Sequence, residues 1–216
     1  MPELRIPDAA DRETLGAFVA RAVRLDGSTA VRLRRRSGSR PGEEIVEAWT
    51  ATPFEVLATR AVAGTVTPAD VTVSGSELLA ALTVAGGEVM DPGPARDLLW
   101  HGELPVAGRW QLVDELPVGI VSDLADRGVT LARDNAGPHG TPPSSLMDQA
   151  VLTVTGADLE VKVQMRCLFA LSGMGLFDSS IDGDVVRVTA TDSWLRLDAR
   201  YGAVLKRRHA LLPLLF

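Results

Sequence analysis

The sequence predicts an α+β protein made of two small modules, each of mainly antiparallel sheet with helices packed on one face. Three observations carry this. Several stretches alternate with period two and are joined by short Gly/Pro-rich turns, and others repeat apolar residues at helical spacing. Between residues 91 and 105 of the 216, the composition shifts toward Pro, Gly and short polar pieces. The modules are therefore expected at 1–105 and 106–216, each near the roughly 100-residue size at which a domain keeps its own core.

In the first half, Pro7-Asp8 precedes an acidic first turn, and Leu15, Phe18, Val19, Ala22 and Val23 form one apolar face, so a helix is expected over 9–24. Gly27-Ser28 ends it. From Ala30 to Arg36 the chain alternates, with Val31, Leu33 and Arg35 on one side and Arg32, Arg34 and Arg36 on the other, which reads as a strand with a charged face. Residues 37–42 make a turn, and 44–52 and 54–61 read as two further strands parted by Pro53, the pattern of a meander. After a strand at 70–73, Ser74 and Glu77 have the spacing of a capping box at the head of a helix carrying Leu78, Leu79 and Leu82, with Gly86-Gly87 beyond it. A helical turn is expected within 94–100.

In the second half, a short strand is expected at 109–113. Pro117 then opens a helix through about Arg133, with Ile120, Val121, Leu124, Leu131 and Ala132 facing inward. A Gly/Pro-rich loop follows at 134–145, leading into a turn at Leu146-Met147-Asp148. Stretches 150–154 and 159–163 flank a hairpin turn; Cys167, Leu168, Phe169 and Leu171 read as a short buried helix closed by Gly173; and 185–190 with 194–199 form another hairpin. Two faint internal echoes, 71–78 with 152–159 and 50–60 with 189–200, have different offsets. Recurring strand-turn chemistry accounts for them as well as duplication does.

The net charge of −6 argues against a dedicated nucleic-acid binder, whose affinity needs a basic surface. The single Cys167 cannot close an internal disulfide, and the first residues lack a basic region followed by an apolar core, so a cytoplasmic location is expected. No apolar run approaches the ~20 residues of a membrane span. The basic residues are twenty Arg and only two Lys, Lys162 and Lys206, a usage typical of a GC-rich genome.

Four regions are candidate sites. The loop ahead of residue 149 gathers His139, Ser144, Ser145 and Asp148, which offers a ligand or partner contact, or nucleophile chemistry if a base and an oxyanion donor converge. No Gly-x-Ser-x-Gly elbow is present, and helix capping explains the two serines equally. Arg32, Arg34 and Arg36, with Arg40 in the next turn, present guanidinium groups that fit a polyanion; edge protection by pairing with Glu43, Glu44 and Glu47 is the competing account. Residues 178–184 imitate the start of a calcium loop, but its twelfth position is Thr189 where a bidentate Glu is required, so an acidic surface turn is the expectation. The three histidines are scattered and no nucleotide loop is formed, so neither metal nor cofactor is expected. Lys206-Arg207-Arg208 precedes the apolar run 209–216, which must be covered by its own core, a second copy or another protein.

The runs at 5–12, 50–60 and 165–175 resemble an uncharacterised actinobacterial protein family with two domains of unknown function. The resemblance implies the two-domain organisation and brings no site residues with it. The resulting reading is a cytoplasmic, non-enzymatic protein acting through protein–protein contact or self-association as a homodimer. The rival is a small-molecule enzyme using the His139 loop, and a third reading is a regulator touching DNA through Arg32 to Arg40.

Overall fold

The first helix is fixed at its head by Asp8, whose carboxylate accepts the Ala10 amide at 2.8 Å. The structure, a computed structural model, describes residues 1–106, 108, 110–134, 143–156 and 159–208. It comprises two units. The first holds Met1–Pro53, Leu57–Glu103 and Gly173–Gly175; the second holds Phe54–Val56, Leu104–Ser172 and Leu176–Phe216.

In the first unit, β1 (Glu3–Arg5) and α1 (Ala9–Leu25) precede an antiparallel meander of β2 (Ala30–Ser37), β3 (Glu44–Ala51) and β4 (Leu57–Ala63). The chain then forms β5 (Thr65–Thr67), β6 (Asp70–Ser74), α2 (Gly75–Val84) and β7 (Val89–Met90). β6 pairs with the free side of β2, giving the order β6-β2-β3-β4, while β5-β1-β7 form a small second sheet. Leu15, Phe18 and Val19 of α1 and Leu78 of α2 are buried with Val31, Leu33, Val46, Ala48, Val71 and Val73 of the strands. The outer side of β6 is covered by a 3-10 turn, Asp97–Leu99: the Asp97 carboxylate accepts the Thr72 amide at 2.7 Å, and the Arg96 amide donates to the Thr72 carbonyl at 2.7 Å.

The second unit contains β8 (Gln111–Pro117), α3 (Val118–Asp134), α4 (Ser144–Met147), β9 (Ala150–Gly156), β10 (Leu159–Gln164), α5 (Met165–Gly173), β11 (Val185–Ala190), β12 (Trp194–Ala199) and β13 (Gly202–Arg207). β11, β12 and β13 form a meander with β8 added beside β11, and β9 and β10 form a separate hairpin. Each unit thus contains a three-stranded meander extended at its first strand by a strand from elsewhere in the chain. The two internal echoes fall on non-equivalent elements: β6–α2 against the β9–β10 hairpin, and the end of β3, a middle strand, against the end of β11, a first strand. Shared turn chemistry explains them.

The α+β class and its mainly antiparallel sheets are as the sequence predicts, and several local expectations change. Ser74 makes no cap; its hydroxyl meets that of Ser76 at 2.9 Å, and Glu77 accepts a bond from Arg96, so the capping box is not formed. β2 is flanked on both sides, so edge protection does not explain its arginines. The strand expected at 54–61 starts only at Leu57, because Glu55 takes φ 58° and turns the chain. Pro117 ends β8 and leaves Val118 to open α3. Ile120 and Leu131 are 49% and 47% exposed, since Val121, Ala125, Gly128 and Ala132 form the inward face. Gly128 lets α3 approach α5 closely, where an added Cβ would overlap the Met165 side chain.

Candidate functional site

The strongest candidate site lies in the second unit, where a buried arginine adjoins a cationic groove. Residues 165–171 of α5 are all buried, so this helix is enclosed on every side. Arg166 is the charged member of that run, and its side chain is 5% exposed. Its Nη1 donates to the Glu55 carboxylate and, at 3.1 Å, to the Phe54 carbonyl; its Nη2 donates to Asp148 at 2.5 Å. Burial opposes the charge on Arg166, but the bonds to Glu55 and Asp148 outweigh it and raise the guanidinium above its ordinary value. The Phe54 ring tilts against Phe169 with centroids 5.8 Å apart, so α5 holds the 54–56 turn by a ring and an ion pair together. Beside it, Cys167 is fully buried, and burial pushes its thiol up to about 11, the behaviour of an inert structural cysteine.

Asp148 also lines an open groove of about 420 Å³. One wall is β10, whose alternate residues Glu160, Lys162 and Gln164 point the same way along the strand. The other wall is the end of β13, where Lys206 stands opposite Leu195 in the register and Arg207 opposite Trp194. Arg207 lies over the Trp194 ring at 5.0 Å. Arg208 donates to the Thr191 carbonyl at 2.8 Å and to the Glu160 carbonyl at 3.0 Å, which ties β13 to the β9–β10 hairpin and fixes the groove's width. Both lysines of the chain therefore line one groove, and among the described residues neither forms an ion pair.

The sequence-predicted residues are dispersed. His139 lies outside the described residues. Ser144 and Ser145 are exposed in the single turn of α4 and make no cap bond. Asp148 ends that turn and faces Arg166, which makes it part of an ion-pair node. On β2, Arg32 holds Asp70 through bonds of 2.7 and 2.8 Å, and the hydrogen bond to Asp70 raises its guanidinium further. Arg34 reaches the same carboxylate at 3.3 Å, and Arg36 donates to Glu47 at 2.6 Å. These three guanidinium groups are already engaged by carboxylates. Arg40, in the following turn, accompanies Glu43 through a backbone bond. In the 178–184 turn, Asp178 accepts from Ser180 and is lowered by that bond, while Asp184 holds Arg200 at 3.0 Å.

Two signals were present in the sequence but carried no weight there. Arg166 is a lone charge in an otherwise apolar helix, a position that demands partners. Lys162 and Lys206 are the two exceptions in a chain that otherwise uses arginine, and the fold brings them together.

The fold is that of bacterial DNA polymerase sliding clamps. The beta subunit from DNA polymerase of Streptococcus pyogenes superposes on 98% of this chain and 66% of its own, with TM-score 0.57 and 9% identity. The sliding clamp of Bartonella birtlesii bound to griselimycin gives 0.58 at 12% identity, over 99% of this chain and 67% of its own. The DNA polymerase sliding clamp of Bacillus subtilis gives 0.58 at 11% identity, over 97% and 65%. The chain thus spans about two thirds of the length of the solved clamps it matches. No curated protein matches the sequence. No helix among the described residues is long and apolar enough to cross a membrane. The chain carries two domains of unknown function, DUF8010 over residues 1–102 and DUF8185 over residues 105–211.

Proposed function

We propose that this chain is a cytoplasmic, non-enzymatic protein-interaction module whose modules, 1–105 and 106–216, work as one binding subunit and self-associate as a homodimer. The observation that carries the reading is the likeness of nearly the whole chain to proteins described as subunits or clamps of a DNA polymerase, which act as parts of an assembly. Fold likeness alone does not bring a partner with it, so the reading stops at interaction. The side chains add support. Arg166, the buried charge, serves as a fastener between α5, α4 and the 54–56 turn, and Cys167 is held in its unreactive form. The apolar composition of residues 209–216 fits self-association, because burying apolar side chains against a second copy is favourable.

Light scattering after size exclusion, across a range of concentrations, tests the reading. A mass rising to twice that of the chain is expected, with no turnover in an unbiased metabolite screen. A strictly monomeric chain whose turnover disappears in His139→Ala would replace the interaction reading with the enzyme one.

A further inference from the structure

We infer that the cationic groove between β10 and β13 docks an extended acidic peptide segment of a protein partner, an inference that rests on the interaction reading above. The shape is the first reason. Glu160, Lys162 and Gln164 line one wall at alternate positions, a span of about 13 Å at roughly 3.3 Å per residue, which matches a few residues of extended chain.

Charge is the second reason. Lys162 and Lys206 have no carboxylate partner among the described residues, and Lys206 donates to the carbonyl of Arg207 at 3.5 Å and lies near the buried Cys167 thiol. Their ammonium groups lie on a chain of net charge −6, so the attraction they offer is local. Arg207 and Arg208 add positive charge while being held by Trp194 and by the Thr191 and Glu160 carbonyls, which keeps the groove's walls in place before anything binds.

The third reason separates a peptide from a nucleic acid. Glu160 and Asp148 also line the groove and would oppose a uniformly charged phosphate backbone. The Trp194 face is occupied by Arg207, which removes it as a stacking surface for a base. A peptide can alternate acidic and apolar side chains, and Leu195 beside Lys206 gives an apolar one a contact. It also brings backbone N–H groups, and the Gln164 side-chain oxygen is buried with no donor among the described residues.

The test uses the full chain and fluorescence anisotropy of a short labelled peptide rich in Asp and Glu around a central Leu. Binding that weakens as salt rises is expected, with a loss of roughly tenfold or more in the double variant Lys162→Glu, Lys206→Glu. Circular dichroism and tryptophan fluorescence check that the variant folds; Lys162→Gln with Lys206→Gln carries the same comparison with a smaller expected loss if it does not. No binding of the acidic peptide, equal binding by wild type and variants, or equal binding of a control peptide with Asn and Gln in place of its Asp and Glu overturns the inference. Displacement of the peptide by a single-stranded oligonucleotide, or by inorganic phosphate at matched ionic strength, also overturns it. Light scattering on the same variants keeps the two readings apart: failed peptide binding with an intact dimer defeats the groove alone, and His139-dependent turnover defeats the interaction reading.

Discussion

On β2 of the first unit the guanidinium groups stay at the surface of the core, whereas in the second unit one guanidinium, that of Arg166, is built into it. Arg32, Arg34 and Arg36 lie on a strand flanked by β6 and β3 and keep their guanidinium groups partly in solvent: Arg32 and Arg34 share the exposed Asp70, and Arg36, half exposed, reaches down to the buried Glu47. Arg166 occupies an enclosed helix, and its partners Glu55 and Asp148 reach in from segments that are otherwise irregular. The number of arginines is uninformative about either arrangement. What differs is the environment, because an exposed ion pair is worth little while a buried guanidinium left alone is costly. The second unit should accordingly be the more sensitive to small changes.

The largest effect should come from stranding Arg166. Replacing Glu55 by Gln and Asp148 by Asn together leaves a buried guanidinium with neutral acceptors, the two amide oxygens and the Phe54 carbonyl, and no countercharge, and should cost about 3 kcal/mol. Each single change should cost about 1 kcal/mol, because both carboxylates reach solvent and one still serves the charge. The double loss should exceed the sum of the singles, as expected for side chains sharing one partner. Urea denaturation followed by tryptophan fluorescence measures all three; a double variant as stable as wild type would erase the contrast between the units.

Next comes close backbone approach in the second unit. At Gly156, the end of β9, a Cβ would overlap the Val113 carbonyl oxygen of β8, and a backbone atom in a sheet cannot step aside. Gly156→Ala should cost about 2 kcal/mol. At Gly128 the obstructing atoms are chiefly the thioether of Met165, which can swing, and alanine gains about 1 kcal/mol of helix propensity over glycine. Gly128→Ala should therefore change stability little. Equal costs at the two sites would mean that the approach of α3 to α5 is as rigid as that of β9 to β8.

The buried thiol provides a pH-dependent version of the same contrast. Cys167 is held at about 11 in the folded chain, above the ordinary thiol value, so the unfolded chain loses its proton first as pH rises. Its contribution to stability is whole below the unfolded value near 8.5 and declines up to about pH 11, by at most ~1.4 kcal/mol per pH unit. Subtracting the profile of Cys167→Ala isolates this slope. The native thiol should also resist a water-soluble maleimide at neutral pH and react on unfolding. Rapid native labelling would place the sulfur outside the core.

The elements legible in the sequence are those whose pattern is local. The face of α1, the alternation of β2 and the hairpins β9–β10 and β11–β12 follow from spacing and turn residues within about twenty positions. β1, β5 and β7 have only two or three residues each, and nothing in so short a stretch marks it as a strand until its partners arrive from 60 or more positions away. β13 was hidden by its own basic end, where Lys206, Arg207 and Arg208 read as the start of a tail. The site was less legible for the same reason: Arg166 meets Glu55 across 111 positions, and Lys162 meets Lys206 only after two sheets form. Asp148 could be named from its loop, but its partner could not. The reading of β2 as a protected edge failed because its second neighbour, β6, joins after two intervening strands.

The smallest expected effect lies on β2. Arg34→Ala removes one contact of 3.3 Å to a carboxylate that Arg32 already holds with two shorter bonds, so stability should fall by less than about 1 kcal/mol and less still at high salt. Lys206→Ala should be equally mild for stability, since Lys206 has no ion pair to lose among the described residues. The two alanine variants are therefore matched in stability and differ in what their cations face: Arg34 a carboxylate of its own sheet, Lys206 the open groove. Anisotropy with the acidic peptide should register Lys206→Ala and ignore Arg34→Ala. If both weaken binding alike, the peptide is responding to net charge, and the distinction between an engaged arginine and an available lysine fails.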